Sequence, residues 1–250
     1  LPILEKNEID YKSKYEGLMH ACGHDVHTSC LIGVAKILSQ LKSEFKGSVK
    51  FIFQPGEEKT PGGASLLIKE GILENPIPET ILGQHVMPFI EAGKVGFRPG
   101  KYMASSDEIY LTIEGKGGHA AMPEKLVDPV IITSHILIAL QQIVSRKSSP
   151  KTPSVLSFGN ISGKGATNVI PDYVDVAGTF RTFDEKWRAE ALKLITHMAD
   201  GIAASMGAKC KVRIEKGYPY LFNDPAYTDR NISAAQEYLG AENIIDLDLW

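Results

Sequence analysis

The stretch Met19-His20-Ala21-Cys22-Gly23-His24-Asp25-Val26-His27 carries three imidazoles, a thiol and a carboxylate. Cys22 and His24 stand two apart, so in extended backbone their side chains project to the same side. A thiolate and an imidazole converging there suit zinc or another borderline divalent metal. Gly23 between them allows a tight turn and a close backbone approach. Histidines in a polar loop before a helix can equally be caps or exposed groups. A second piece, Gln54-Pro55-Gly56-Glu57-Glu58, follows a strand-like run. In open α/β sheets, ligands sit outside the carboxyl ends of the strands. Adjacent carboxylates repel, and a divalent metal relieves that repulsion. One carboxylate could then be a ligand and the other a general base for a metal-activated water. The alternative is an exposed acidic turn. Gly83-Gln84-His85-Val86 ends the next apolar run and could supply a further imidazole. A lone histidine in such a run is more often structural. Together the three pieces offer sulfur, nitrogen and oxygen donors and a spare carboxylate.

Three more candidates lie further along. His119 sits in Gly115-Lys116-Gly117-Gly118-His119-Ala120-Ala121-Met122-Pro123, where glycines free the backbone to expose it or merely form a hairpin tip. Asn168, in Gly165-Ala166-Thr167-Asn168-Val169-Ile170-Pro171, is either a turn residue or an amide donor to a substrate. Arg181, between Phe180 and Phe183, could grip a carboxylate bidentately or simply decorate a strand. His135 and His197 fall inside amphipathic helices and read as structural or exposed. Cys30 and Cys210 sit in apolar runs and read as buried thiols.

The elements that must position these residues follow from hydrophobic periodicity. Thr28 or Ser29 could cap a helix carrying Leu31, Ile32, Ala35, Ile37, Leu38 and Leu41. Val49 to Phe53 and Ile81 to Val86 read as strands, with a short helix over Gly62 to Ile72 between them. That order predicts an α/β layer with mostly parallel pairing. From Ser106 to Ile214 the order becomes strand, helix, strand, strand, helix, strand: Ser106–Glu114, a helix opened by Asp128-Pro129, Ser154–Ile161, Val174–Phe183, a helix from Asp184 to about Met206, and Lys209–Ile214. This is the split βαβ arrangement of ferredoxin-like domains. Boundaries near Pro99-Gly100 and Gly217-Tyr218-Pro219 predict a first domain over 1–100, an inserted βαββαβ domain over 101–216, and a return to the first domain over 217–250.

Composition sets the broad class. Across 250 residues, 43% are hydrophobic and 23% charged, which excludes disorder, collagen-like sequence and a disulfide-dense scaffold. The net charge of −3 gives no reason to expect nucleic acid or an anionic membrane as a partner. No uninterrupted apolar run reaches the ~18 to 20 residues of a spanning helix, and no signal-peptide pattern opens the chain. Three scattered cysteines predict reduced thiols and a cytoplasmic location. A first residue of Leu and a strand-like run up to Trp250 suggest that both ends of a longer protein are missing.

Taken together, Met19 to Thr28, Gln54 to Glu58, Gly83 to His85, Gly117 to Pro123, Asn168 to Pro171 and Gly178 to Phe183 resemble the co-catalytic metallo-amidohydrolases. That superfamily includes aminoacylase, carboxypeptidase and succinyl-diaminopimelate desuccinylase types. Cys-Gly-His-Asp is similar to the branch with hippurate hydrolase and indole-acetyl-amino acid hydrolase. The resemblance covers nearly the whole chain and implies two divalent metal ions (Zn, Mn, Ni or Co). It implies Cys22, His24, Glu58 and His85 as ligands, Glu57 as general base and His119 as a second catalytic residue. Asn168 and Arg181 would bind substrate, the insert would be a lid and dimerisation domain, and the protein would be a homodimer. The family's last metal-binding histidine lies near its C-terminus, yet no histidine follows His197 here. Its aspartate-rich stretch precedes the Leu-Pro-Ile found here at the start. Both departures agree with a truncated chain and an incomplete metal site. The expected activity is hydrolysis of the amide bond of a small N-acyl amino acid. The alternatives are a dipeptidase or carboxypeptidase of the same family, or a non-catalytic binding protein on a degenerate hydrolase fold.

Overall fold

The computed structural model describes residues 1–59 and 61–250. They form two compact units, Leu1–Ala92 and Gly93–Trp250. The first holds helix α1 (His24–Gln40) and the short helix α2 (Gly63–Lys69). Helix α1 starts four residues before the expected cap. Thr28 Oγ1 and Ser29 Oγ each donate back to the carbonyl four residues earlier, of His24 and Asp25, at 2.8 Å. They therefore ride inside the helix, and Gly23 takes the cap position.

The mostly parallel sheet expected in this unit is not formed among the described residues. Residues 49–54 and 81–86 are in no strand. Their apolar sequence suits a strand, but a strand needs a hydrogen-bonded neighbour. Here the side chains stay open to solvent, with Phe53 49% and Leu82 73% exposed. Two contacts hold the segment leading to Glu57. Lys50 Nζ donates to the carbonyls of Ile72 and Glu74, both at 2.8 Å. Gly63 packs so tightly that a Cβ there would lie 1.6 Å from the carbonyl oxygen of Pro55.

The second unit begins with β1 (Val95–Phe97) and β2 (Gly100–Lys101). Its centre is β3 (Asp107–Glu114), followed by the short β4 (Gly118–His119), α3 (Pro129–Gln142), β5 (Ser154–Ser162), the short β6 (Val169–Ile170), β7 (Tyr173–Thr182), α4 (Glu185–Ser205) and β8 (Lys209–Lys216). The chain ends with β9 (Phe222–Asn223), α5 (Pro225–Leu239) and β10 (Ile244–Asp246). Four strands make an antiparallel sheet in the order β5-β7-β3-β8. Strand β1 runs parallel to β10, and β2 antiparallel to β9.

Alternation builds this sheet. Ile109, Leu111 and Ile113 of β3 and Val174, Val176 and Phe180 of β7 are buried on one face. Ile132, Ile136 and Leu140 of α3 meet them, as do Ala191, Ile195 and Ala199 of α4, all spaced one helical turn apart. Each fully buried aliphatic or aromatic side chain contributes about 1.5 to 3 kcal/mol. Both helices are capped by aspartate. Asp128 accepts from Val130 N and Ile131 N, and Asp184 from Trp187 N. Helix α3 continues as a π-helical turn over Ile143–Lys147. The whole segment Pro129–Lys147 is long and apolar enough to cross a membrane, although no unbroken apolar run was visible in its sequence. Ile132, Ile136, Leu140 and Ile143 of this segment are buried, while Val130, Ile131 and Ile138 are exposed.

Among the described residues one ion pair is buried. Arg188 donates through Nε and Nη2 to both carboxylate oxygens of Asp107, at 2.7 and 2.6 Å. Its Nη2 also donates to the carbonyl of Gly217 at 3.0 Å. The clamp therefore sits where the chain enters β3 and leaves β8.

Two cysteine expectations need correction. Cys30 is exposed, because α1 buries none of its residues. Cys210 is only half-buried, since β8 is an edge strand of the sheet. All three cysteines are free thiols.

Candidate metal centre

Gly23 adopts φ 76°, a left-handed conformation that only glycine takes without strain. That turn brings Cys22 up against the first turn of α1, which carries His24 and His27 at i, i+3 on one face. A Cβ on Gly23 would lie 2.2 Å from Val86 Cγ2, so the same glycine lets the 83–86 segment dock. His85 consequently meets Cys22, with Nε2 at 3.3 Å from Sγ.

Two donor sets converge. Donor atoms of Cys22, His24 and His85 lie within 4.8 Å of one another, and so do those of His24, Glu57 and Glu58. His24 belongs to both. Its Nε2 is 3.7 Å from a Glu57 oxygen and 3.9 Å from a Glu58 oxygen. The imidazole rings of His24, His27 and His85 cluster, His27 and His85 having centroids 4.5 Å apart.

The chemistry of this set fits a divalent cation. Burial pushes the Cys22 thiol up, and the charge and hydrogen bond of Glu58, with the charge of Glu57, push it further. Two carboxylates and a thiol gathered this closely repel as their negative charge builds, and a bound cation, to which the two imidazoles offer further lone pairs, reverses that balance. Sulfur with imidazole favours zinc-like ions, while the carboxylates accept harder ones.

His27, the last histidine of the same stretch, contacts the 83–86 segment and belongs to neither donor set. Its Nε2 accepts a hydrogen bond from Val86 N at 2.9 Å. Burial and the neighbouring His85 and His24 lower its pKa, which favours the neutral ring that such acceptance needs. The one signal for it in the sequence was its i, i+3 spacing from His24.

In the second unit, His119 of β4 pairs with Val169 of β6, and Ala120 N donates to the carbonyl of Asn168 at 3.0 Å. The two candidates thus share one exposed corner. His119 Nδ1 accepts from Ala121 N at 3.2 Å. In a neutral ring this leaves the proton on Nε2 as an outward donor. Arg181 is exposed on the helix-free face of the sheet, in a shallow depression with Tyr110, Ser157 and Thr179. It lies near the far end of β7, roughly 25 to 30 Å along the strand from Tyr173. Within the chain, Arg181 is therefore not brought to the His119–Asn168 corner. His135 and His197 are exposed on their helices.

Comparison with known proteins defines the class. The peptidase family M20/M25/M40 matches residues 1–248, and the chain belongs to that family. An N-acyl-L-amino acid amidohydrolase of Geobacillus stearothermophilus is 38% identical over 240 residues, covering 94% of this chain and 64% of the relative. An N-acetyl-L-cysteine deacetylase of Bacillus subtilis is 41% identical over 228 residues, covering 91% of this chain and 54% of the relative. The IAA-amino acid hydrolase ILR1-like 4 of Arabidopsis thaliana is 38% identical over 251 residues, covering 99% and 56%. Among solved structures, Bacillus subtilis YxeP, described as a dinuclear metal-binding peptidase of the M20 family, aligns with a TM-score of 0.77 at 32% identity, over 100% of this chain and 62% of its own. The chain thus spans between 54% and 64% of the length of these relatives.

Proposed function

We propose that this chain carries the metal-binding and general-base groups of an amidohydrolase that cleaves the amide bond of N-acyl amino acids. The observation behind the proposal is the convergence of Cys22, His24 and His85 with Glu57 and Glu58 from three separate stretches of sequence. Cys22, His24, Glu58 and His85 would hold two divalent cations, with zinc and manganese the foremost candidates. When bound, such ions supply Lewis acidity, lowering the pKa of water towards ~7 and polarising a carbonyl.

The remaining chemistry belongs to the chain. Glu57 takes a proton from the attacking water as its oxygen bonds to the amide carbon. It then delivers that proton to the nitrogen as the C–N bond breaks, yielding a carboxylic acid, which loses its remaining proton to solvent, and a free amine. His119, through Nε2, and the Asn168 amide are suited to donate to the oxyanion, each worth on the order of 3 kcal/mol. Arg181 would fix the substrate's free carboxylate bidentately and so orient the scissile bond.

The inserted unit would act as lid and dimerisation domain. The separation of Arg181 from the His119–Asn168 corner supports this reading. One N-acyl amino acid is far shorter than ~25 Å of strand, so the two features of one chain would serve different substrate molecules. Two copies exchanging these contributions would satisfy both.

The test is a hydrolysis assay with N-acetyl, N-benzoyl, N-indoleacetyl and N-succinyl amino acids beside dipeptides. Glu57→Gln should retain metal and lose about 100- to 10,000-fold in kcat. Full activity in that variant rejects the base assignment, and preference for dipeptides rejects the acyl-amino acid reading.

A further inference from the structure

Val86 is held at both of its backbone polar groups, which belong to successive peptide units. Its N–H donates to His27 Nε2 at 2.9 Å, and its carbonyl lies 2.7 Å from His85 Nδ1. A carbonyl can only accept, so His85 Nδ1 carries the proton and donates to it. In a neutral ring that leaves Nε2 as the lone-pair nitrogen, facing Cys22 Sγ at 3.3 Å. Metal-binding histidines depend on such a partner at the other ring nitrogen, which fixes the tautomer and the ring plane. Here the partner is the Val86 carbonyl, so the orientation of the ring is only as fixed as the Val86 backbone.

Two features hold Val86 in place. Gly23 admits Val86 Cγ2 into space that any Cβ would fill. His27, one turn along α1 from His24, accepts the Val86 N–H. Residues 81–86 join no strand, so no sheet ladder holds that N–H in their place. His27 is anchored in turn by the helix, its N–H bonding the carbonyl of Gly23 at 3.1 Å.

We propose that His27 is a positioning residue of the metal centre: by accepting the Val86 N–H it fixes the His85–Val86 peptide and so helps to hold the Val86 backbone, whose carbonyl, in the next peptide unit, sets the tautomer and ring plane of His85. This inference rests on the metal-centre reading above and assigns His27 no contact with metal or substrate.

The distinguishing feature is an acceptor at the position of Nε2. His27→Gln places an amide oxygen near that point, whereas His27→Asn places one a bond short, at the position of Nδ1. Each variant of the 250-residue chain would be stripped of metal and titrated with Co²⁺, followed by calorimetry and by the thiolate-to-cobalt charge-transfer absorption. Far-UV circular dichroism and thermal midpoint would confirm folding. His27→Asn should weaken Co²⁺ binding about 10- to 100-fold and shift the charge-transfer band. His27→Gln should bind within a few-fold of the parent chain with an unshifted band. Parent-like binding by His27→Asn, or equal weakening by Asn and Gln, overturns the proposal. A parent chain that binds no Co²⁺, or one whose binding survives Cys22→Ala with no loss of the charge-transfer band, overturns the metal-centre reading itself.

Discussion

The two compact units are held together in contrasting ways. In residues 93–250 a four-stranded sheet buries one face under two helices, and Phe180, Ile109 and Ile136 are fully enclosed. In residues 1–92 only Gly62 and Gly63 are buried among the described residues. Yet the first unit holds the convergent donor cluster. Its order comes from close backbone approaches at Gly23 and Gly63 and from side chains gripping backbone, Lys50 on Ile72 and Glu74, His27 on Val86. Bulk apolar burial stabilises one unit, and a few specific polar and steric contacts shape the other.

The contrast can be broken by substitution. Phe180→Ala removes a fully buried ring and should cost about 3 to 5 kcal/mol, read as a lower urea midpoint with an unchanged slope. A loss below 1 kcal/mol would mean that the sheet is less firmly packed than its burial implies.

Titration gives a smaller effect. Burial, assisted by the charge of Asp200, raises the Cys210 thiol from its ordinary 9.0 to about 11. The folded state therefore holds its proton more tightly than the unfolded state. The resulting stability is fully present below pH 9 and is lost as pH rises towards about 11. Denaturation midpoints of the parent chain and Cys210→Val, measured across this window, should converge on or favour the variant as pH rises. Parallel curves would show that Cys210 is not sheltered.

The smallest effect is expected on α1. Ile37 is 55% exposed, and Ile37→Ser should change stability by no more than about 0.5 kcal/mol. A cost like that of Phe180→Ala would erase the distinction between the units.

The same contrast governs what could be read from the sequence. Ile109, Leu111 and Ile113 announced their strand because one face of β3 is buried and the other is not, which imposes alternation. Asp128-Pro129 announced its helix because the carboxylate and the ring satisfy the first turn locally. Residues 49–54 and 81–86 carried the apolar composition of strands, but pairing is a property of neighbours, and composition does not display it. The grouping of Cys22, His24, Glu57, Glu58 and His85 was legible from residue type and order, with the family resemblance joining the pieces. The part played by His27 was not, because it depends on a backbone N–H 59 positions away.

Asp107 faces Lys216 across the β3–β8 ladder, and Arg188 bridges the Asp107 carboxylate to the Gly217 carbonyl. The block 107–216 thus begins and finishes at a single doorway. Its two ends therefore lie side by side, the geometry that joining them by a short turn, or grafting the block into a surface loop of another host, would require.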